Sequence, residues 1–279
     1  MRAFSTLLIS AVLTGPVLAA VPAAKMEQLL VASGLEAHIQ SLAELTSASV
    51  EQGFRQSGQI EAVSAEHIGA MQSLARRDFA ADTVRANVVD TLNRALTEPD
   101  ADAHLAWLQS ENGQAIADAE AFAGTAAGVA EMQLYIQNLQ DHIPSRERIA
   151  QIESIDNTAQ VAGTALSIQG NSLLVMLSAM NAVAPSELQR DFDALSALSN
   201  QLIDDAIRRD TVLQTSLQLV YTYRDIPDDA LAAYLNHLES PAGNAFITAR
   251  FTAMDNAMSD ASAQFGGNVA DLIADMPLN

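Results

Sequence analysis

The feature that most constrains this chain is a pattern that occurs twice, 130 residues apart. Residues 103–115 read AHLAWLQSENGQA and residues 233–245 read AYLNHLESPAGNA, and six of the 13 aligned pairs are identical. The Leu, Ser and Gly matches share one frame, and self-similarity at a fixed distance indicates two copies of one structural unit. The pattern therefore predicts a first helical repeat over residues 21–143 and a second over residues 144–279, with the boundary near Ile143.

The composition and the spacing of apolar residues favour helices in both repeats. Apolar residues make up 49% of the chain but aromatic residues only 5%, so most of the apolar share consists of residues that suit close-packed helices. No segment alternates apolar and polar residues as a half-buried strand does. The predicted fold class is all-α, a multi-helix bundle built from two similar helical repeats. Apolar residues recur at helical spacing in two clear stripes: Val84, Val88, Leu92 and Leu96, and Ile203, Ala206, Leu213, Leu217 and Val220.

The repeated pattern itself predicts a corner between two helices. Ser240 is placed to cap a new helix, with Pro241 at its first position, where the missing N–H costs nothing. Gly243 has no side chain, so a neighbouring helix or the preceding turn can approach closely. In the first copy Ser110 and Gly113 repeat this arrangement. The other residues of the predicted motif are Leu105, Trp107, Leu108 and Gln114 in the first copy and Tyr234, Leu235, Leu238 and Asn244 in the second.

At these residues the chain resembles the bacterial family catalogued as domain of unknown function 2059. The family's signature is an aromatic pair, a Ser or Thr, Pro, any residue, Gly and then Gln. Ser240, Pro241 and Gly243 match it, with Asn244 replacing Gln and the aromatic pair falling on His237 and Leu238. In the first copy Trp107, Ser110, Gly113 and Gln114 match it, and Glu111 replaces Pro. The resemblance implies a helical, periplasmic protein and brings no activity, cofactor or catalytic residue.

The first 20 residues have the pattern of a cleavable signal peptide. Arg2 supplies the positive charge, residues 7–13 form an apolar stretch, and Gly15 and Pro16 precede small residues at the cut site. We expect cleavage after Ala19 or Ala20 and export to the periplasm. Residues 173–183 form the next most apolar segment, and 11 residues suit a buried core helix better than a membrane span, which needs about 20. No transmembrane segment is therefore expected in the mature chain.

Charge and cysteine content exclude several classes of function. The net charge is −20 and there is no cysteine. A field of that sign repels phosphate backbones, so nucleic acid is not an expected partner. Without cysteine the chain has no disulfide, no thiol nucleophile and no thiolate metal ligand.

Candidate chemical groups have plainer structural interpretations. Asp100, Asp102 and His104 lie close enough in sequence to bind a cation, but their pattern is also that of an acidic helix N-terminus, which we favour. Ser110 and Ser240 have no His or Asp at a recognisable spacing, so we interpret them as caps rather than nucleophiles. No metal and no cofactor is predicted. Gly124 and Gly128 have GxxxG spacing, which we interpret as close packing between helices of the same chain.

Two functions remain open. The first is a non-enzymatic scaffold or binding protein for an envelope partner or an apolar ligand, and the second is a hydrolase or metal-dependent enzyme with a dispersed site. Clustering of His104 and His237 with carboxylates would favour the enzyme, whereas scattered, exposed histidines would favour the scaffold. Four methionines could line a ligand cleft: Met176, Met180, Met254 and Met258. Filling of the core is the commoner role for this residue, and we favour it.

Overall fold

The predicted all-α class is confirmed. A computed structural model describes residues 21–57, 64–141, 143–182, 184 and 186–274, and this part of the chain consists of helices and turns with no strand. The predicted signal peptide lies outside the described residues. The helices before the predicted boundary are α1 (Ala23–Ala32), α2 (Leu35–Ser57), α3 (Ala65–Asp78), α4 (Ala81–Ala95), α5 (Glu98–Leu108), α6 (Glu111–Ala123), α7 (Ala126–Gln137) and a short 3-10 helix (Leu139–Asp141).

The second half of the chain contains longer helices than the first. Its last helix runs for 34 residues, whereas the corresponding stretch of the first half is broken into α6 and α7. The helices after the predicted boundary are α8 (Arg146–Ala159), α9 (Val161–Ala182), a 3-10 helix (Ser186–Leu188), α10 (Phe192–Leu202), α11 (Asp205–Thr222), α12 (Asp228–Glu239) and α13 (Pro241–Ala274).

Helix α13 is the centre of the packing. It lies against α9 of the second half and against α3, α4 and α5 of the first. Ala249, Ala253 and Ala257 are buried along it, and these small side chains allow close approach of neighbouring helices, while Phe246 and Phe265 fill the wider gaps. One buried apolar cluster therefore contains residues of both halves.

One predicted apolar stripe is confirmed and the other is confirmed only in part. On α4, Val84, Val88 and Leu92 are buried as predicted. In the second stripe Ile203 is buried and Val220 packs against the core. Its middle is wrong, because Ala206 and Leu213 are exposed.

The buried face of α11 instead includes Thr211 and Thr215. Thr211 Oγ1 donates to Gln169 Oε1 of α9 at 3.1 Å, which satisfies its hydroxyl and leaves its methyl group to pack. The stripe failed in its middle because threonine also suits a half-apolar interface.

Helix α9 is longer and less covered than predicted. Residues 173–182 form only its C-terminal part, because the helix begins at Val161. It is the one helix within the described residues that has the length and apolar character to cross a membrane, and only 22% of its most apolar stretch is buried. A helix at the core of a soluble protein would be covered more completely by its neighbours. The exposed faces of α9 therefore need a separate explanation.

Candidate functional site

The two repeated corners have the same hydrogen bonds. Ser110 Oγ accepts from Gly113 N at 3.1 Å and donates to the Trp107 carbonyl at 2.6 Å. Ser240 Oγ accepts from Gly243 N at 3.1 Å and donates to the His237 carbonyl at 2.6 Å. Each hydroxyl accepts from an N–H at the start of the new helix and donates to a carbonyl of the old one, which also accepts from the N–H of the same serine. Pro241 is the first residue of α13, as predicted.

The glycine of each corner is required by the preceding turn. A Cβ at Gly113 would lie 2.0 Å from the Trp107 carbonyl oxygen, and one at Gly243 would lie 2.0 Å from the His237 carbonyl oxygen. Both distances are far shorter than any real contact between these atoms. Of the two explanations left open by the sequence, close approach of the preceding turn is therefore the correct one.

A third corner of the same kind joins α6 to α7. Thr125 Oγ1 accepts from Gly128 N at 3.0 Å and donates to the Phe122 carbonyl at 2.7 Å. A Cβ at Gly128 would lie 2.1 Å from that carbonyl oxygen. Gly128 therefore permits close packing within the chain, as interpreted, but against the preceding turn of α6. Gly124 does not take part, since a Cβ there would meet nothing closer than 3.6 Å, and the helix break at Thr125 separates the two glycines. The signal for this corner was a Thr three residues before a Gly, the spacing of Ser240 and Gly243.

The first two corners pack on each other through a stack of rings. The Trp107 ring is parallel to His237 at 4.8 Å and to Tyr234 at 6.1 Å between centroids. His104 stacks on Phe246 at 3.9 Å, and its Nδ1 lies 2.9 Å from His237 Nε2. We call these five rings the corner stack.

The contacts of the corner stack are reciprocal. In the 130-residue alignment His104 corresponds to Tyr234 and Trp107 corresponds to His237. The contact between His104 and His237 therefore has the contact between Tyr234 and Trp107 as its counterpart. The helices follow the same rule, since α5 packs on α13 and α12 packs on α6. This is the contact pattern of a twofold interface.

The two histidines are neutral at neutral pH. Burial lowers the pKa of His104 to about 3, helped by the charges of His237 and Arg250. Burial also lowers the pKa of His237 to about 4. Two neutral imidazoles can share one hydrogen bond, with one ring donating and the other accepting.

Glu120 of α6 joins Tyr234 of the corner stack to Tyr223, which follows α11. Its Oε1 accepts from the Tyr223 hydroxyl at 2.7 Å and from the Tyr234 hydroxyl at 3.3 Å. Although Glu120 as a residue is exposed, these contacts hold its carboxylate against the protein. The resulting desolvation raises the pKa of Glu120, and the Tyr223 hydrogen bond opposes that rise.

The corner stack has little capacity for acid–base chemistry. Imidazoles with pKa values of about 3 and 4 are weak bases, and a general base works best with a pKa near the working pH. The Ser110 and Ser240 hydroxyls donate to backbone carbonyls, so neither is activated by a histidine.

The carboxylates near His104 in sequence have other partners. Asp100 forms a capping box with Thr97 at the start of α5, and Asp102 pairs with Lys25 at 2.6 Å. His104 turns towards His237 instead. Among the described residues, no group of three His, Asp or Glu side chains is arranged to hold a metal ion.

The remaining motif residues divide between core and surface. Leu105 and Leu238 are buried, while Leu108 and Leu235 are partly buried against the same apolar cluster. Gln114 and Asn244, which occupy the signature's final position, are both exposed and do not join the corner stack.

A pocket of about 410 Å³ lies beside α9. The repeated motif gave no indication of this pocket. We call it the α9 pocket. Its walls come from the α1–α2 turn and from α2, α9, α11 and α13. Gly34 makes the α1–α2 turn with a φ of 72°, a left-handed conformation that glycine adopts without strain. The lining residues are Ser33, Gly34, Leu35, His38, Val161, Thr164, Ala165, Ile168, Thr215, Gln218, Arg250, Phe251 and Met254.

The position of α9 between two cavities accounts for its low burial. Val161, Ala165 and Ile168 lie on one face of the helix and line the α9 pocket. Leu166, Gly170 and Leu174 lie on another face and line a second, more polar cavity of about 290 Å³. Both apolar faces of the helix are therefore open to a cavity.

A narrow extension carries the α9 pocket along α13. Its walls include Met254 and Met258, and Ser167 donates a hydrogen bond to Asp255 there. The serine proton is therefore directed to a carboxylate and not to His38. Of the four methionines predicted to line a cleft or fill the core, these two border the cavity and are also buried members of the apolar cluster. Met180 packs against the core, and Met176 lies in the space left by the missing side chain of Gly53.

Comparisons with protein-family models, curated proteins and solved structures find no match to this chain.

The corner hydrogen bonds predict a specific order of stability. Ser240→Ala should lower the free energy of unfolding by about 1 kcal/mol, whereas Ser240→Thr should be nearly neutral because threonine makes the same two bonds at Thr125. Gly243→Ala should cost about 1–3 kcal/mol, since backbone must move to admit the Cβ. Gly267→Ala on the same helix is the matched control, because its Cβ meets nothing within 4 Å. Urea unfolding that ranks Gly243→Ala with Gly267→Ala would refute this account of the corner.

The neutral histidine pair predicts a loss of stability in mild acid. The folded pKa of His104 is about 3, below the unfolded value, so the unfolded chain takes up the proton first as the pH falls. The stabilisation is complete above about pH 6.5 and decreases towards the folded pKa, by about 1.4 kcal/mol for His104 between pH 7.5 and 5.5. In His104→Phe, urea unfolding at the two pH values should show a decrease smaller by about that amount. Equal decreases in both proteins would contradict a buried neutral imidazole.

Proposed function

We propose that this chain is an exported, non-enzymatic periplasmic protein that binds an apolar small molecule in the α9 pocket. The observation that carries the proposal is an apolar helix left largely uncovered, with only 22% of its most apolar stretch buried, beside a cavity of about 410 Å³. That volume is within the range of small-molecule sites. Export rests on the sequence pattern of residues 1–20.

The energetics of α9 favour a bound ligand. Each Å² of apolar surface removed from water contributes about 25 cal/mol, and Val161, Ala165, Ile168 and Phe251 all present apolar surface to the cavity. A ligand that covers these side chains recovers stabilisation that the empty pocket forgoes. The polar lining residues can orient such a molecule, and they are Ser33, His38, Thr164, Thr215, Gln218 and Arg250.

The scaffold around the pocket is, in this proposal, a duplicated unit. Its support is the reciprocity of the corner stack together with identical hydrogen bonds at Ser110 and Ser240. We assign both corners to the same kind of unit as the family known as domain of unknown function 2059, on the Ser, Pro and Gly of the second corner. In this view the corners fix α12 and α13, and α13 then forms one wall of the pocket.

The enzymatic alternative has weaker support. His104 and His237 do come together, which favours a site, but the rings around them are aromatic and no carboxylate contacts either imidazole in the described part of the chain. A pair of neutral, stacked histidines is better explained as packing between the two corners than as a base and its partner.

A neutral fluorescent probe tests the proposal. N-phenyl-1-naphthylamine should bind the purified mature protein saturably and in equimolar amount, with increased emission. Ala165→Phe puts a ring into the pocket and should weaken binding at least about ten-fold. Ala130→Phe, which adds the same ring at an exposed position of α7, should bind like the wild type. The proposal fails if probe binding is not saturable, or if both variants bind equally well.

A further inference from the structure

The α9 pocket contains a cation, Arg250, that forms no ion pair with a carboxylate of the described part of the chain. Five Lys or Arg residues of the described chain are half-buried, and four of them, Lys25, Arg85, Arg148 and Arg224, each pair with a carboxylate. Arg250 is the fifth, and among the described residues no carboxylate lies within ion-pair distance of it. Its one hydrogen bond is a long contact of 3.4 Å from Nη2 to the Ala159 carbonyl. A guanidinium has five N–H donors, and the other donors of Arg250 have no hydrogen-bond acceptor within the described part of the chain.

It is unusual for a half-buried arginine of so acidic a chain to form no ion pair with a described carboxylate. The sequence has 34 acidic residues against 14 basic ones, yet none of the residues that line the α9 pocket is acidic. The charge of Arg250 acts on the Glu120 carboxylate, whose pKa it helps to lower, but no hydrogen bond or ion pair joins these two side chains in the described part of the chain. The guanidinium on the wall of the α9 pocket can therefore form an ion pair with an anion from outside the chain.

The groups beside Arg250 suit the same anion. His38 faces the pocket, and burial together with the charge of Arg250 lowers its pKa. A neutral His38 can donate a hydrogen bond to an anionic oxygen without a charge of its own. Thr215 adds a hydroxyl group to the lining, whereas the Thr164 hydroxyl donates to the Gln160 carbonyl at 2.9 Å.

The apolar part of the cavity lies beside this cation. Arg250 shares the α9 pocket, of about 410 Å³, with apolar side chains that include Ile168, Phe251 and Met254. The narrow extension towards Met258 encloses only about 20 Å³, and Asp255 lines it. The room for an apolar group therefore lies in the α9 pocket itself, next to the guanidinium.

We propose that the ligand of the α9 pocket is an amphiphilic carboxylic acid, with its carboxylate on Arg250 and its alkyl chain along Ile168, Phe251 and Met254. This inference rests on the proposed function and specifies its ligand. A planar guanidinium binds a carboxylate through two parallel N–H···O bonds, which an alcohol of the same length cannot reproduce.

Displacement of N-phenyl-1-naphthylamine by decanoate and by decanol tests the assignment. These two molecules have the same chain and differ in the head group. The wild type should bind decanoate at least about ten-fold more tightly than decanol, the difference expected from one charge-assisted hydrogen-bonded pair. Arg250→Gln should remove this preference while it leaves the affinities for decanol and the probe within about two-fold. Arg250→Lys keeps the positive charge but cannot form two parallel N–H···O bonds, so it should keep part of the preference for decanoate over decanol.

The possible results separate this inference from the proposed function. Equal affinities of the wild type for decanoate and decanol would overturn the acidic head group and leave an apolar pocket in place. The same conclusion would follow if Arg250→Gln kept the full preference for decanoate. If the wild type bound neither the probe nor decanoate, both the pocket function and the assigned ligand would be wrong. The wild-type comparison is decisive even if Arg250→Gln does not fold.

Discussion

The stacking of Trp107 on His237 and Tyr234 determines how the two halves of this protein meet. Each such aromatic pair contributes about 0.5–1.5 kcal/mol beyond the area it buries, and three rings share these contacts. Because the rings belong to α5 and α12, their stacking fixes the two helix corners against each other. It also directs α13, which follows Ser240 at once, across α3, α4 and α5 of the first half. The single apolar core depends on this crossing.

The same contact connects the corners to the proposed binding site. Arg250 follows Gly243 by seven residues, about two turns of helix, so the direction of α13 places Arg250 at the α9 pocket. Its charge reaches the corner stack as well, since it helps to lower the pKa of His104. A neutral histidine pair suits this position, because the charge of Arg250 disfavours a second positive charge on the buried imidazole of His104. Packing at the corners and the cation in the pocket are thus parts of one arrangement.

Local features of the structure could be predicted from the sequence, whereas features assembled from distant segments could not. The hydrogen bonds of Ser110 and Ser240 were predictable because a helix cap involves only residues three apart. The all-helical class followed from composition and spacing. The third corner, at Thr125, was not predicted, because the GxxxG spacing of Gly124 and Gly128 was interpreted as close packing between helices. The buried face of α11 was assigned wrongly because the threonines that form it count as polar in a periodicity argument.

The α9 pocket and the corner stack required the three-dimensional arrangement. His104 and His237 are 133 residues apart, and no spacing rule joins them. The pocket brings together four helices and one turn, so its residues carry no common pattern. A weaker signal was present at Arg250, the one cation in the apolar stretch FITARFTAM of residues 246–254. A lone charge on the apolar face of a long helix is a reason to look for an unusual partner.

A double-mutant cycle between Trp107 and His237 tests most directly whether the two corners hold each other. The free energies of unfolding of Trp107→Ala, His237→Ala and the double variant should give a coupling of about 1 kcal/mol, since the rings are in contact. Trp107 paired with the exposed Leu213 of α11 is the control, with a coupling expected below about 0.5 kcal/mol. A Trp107–His237 coupling as small as that of the control would contradict the account.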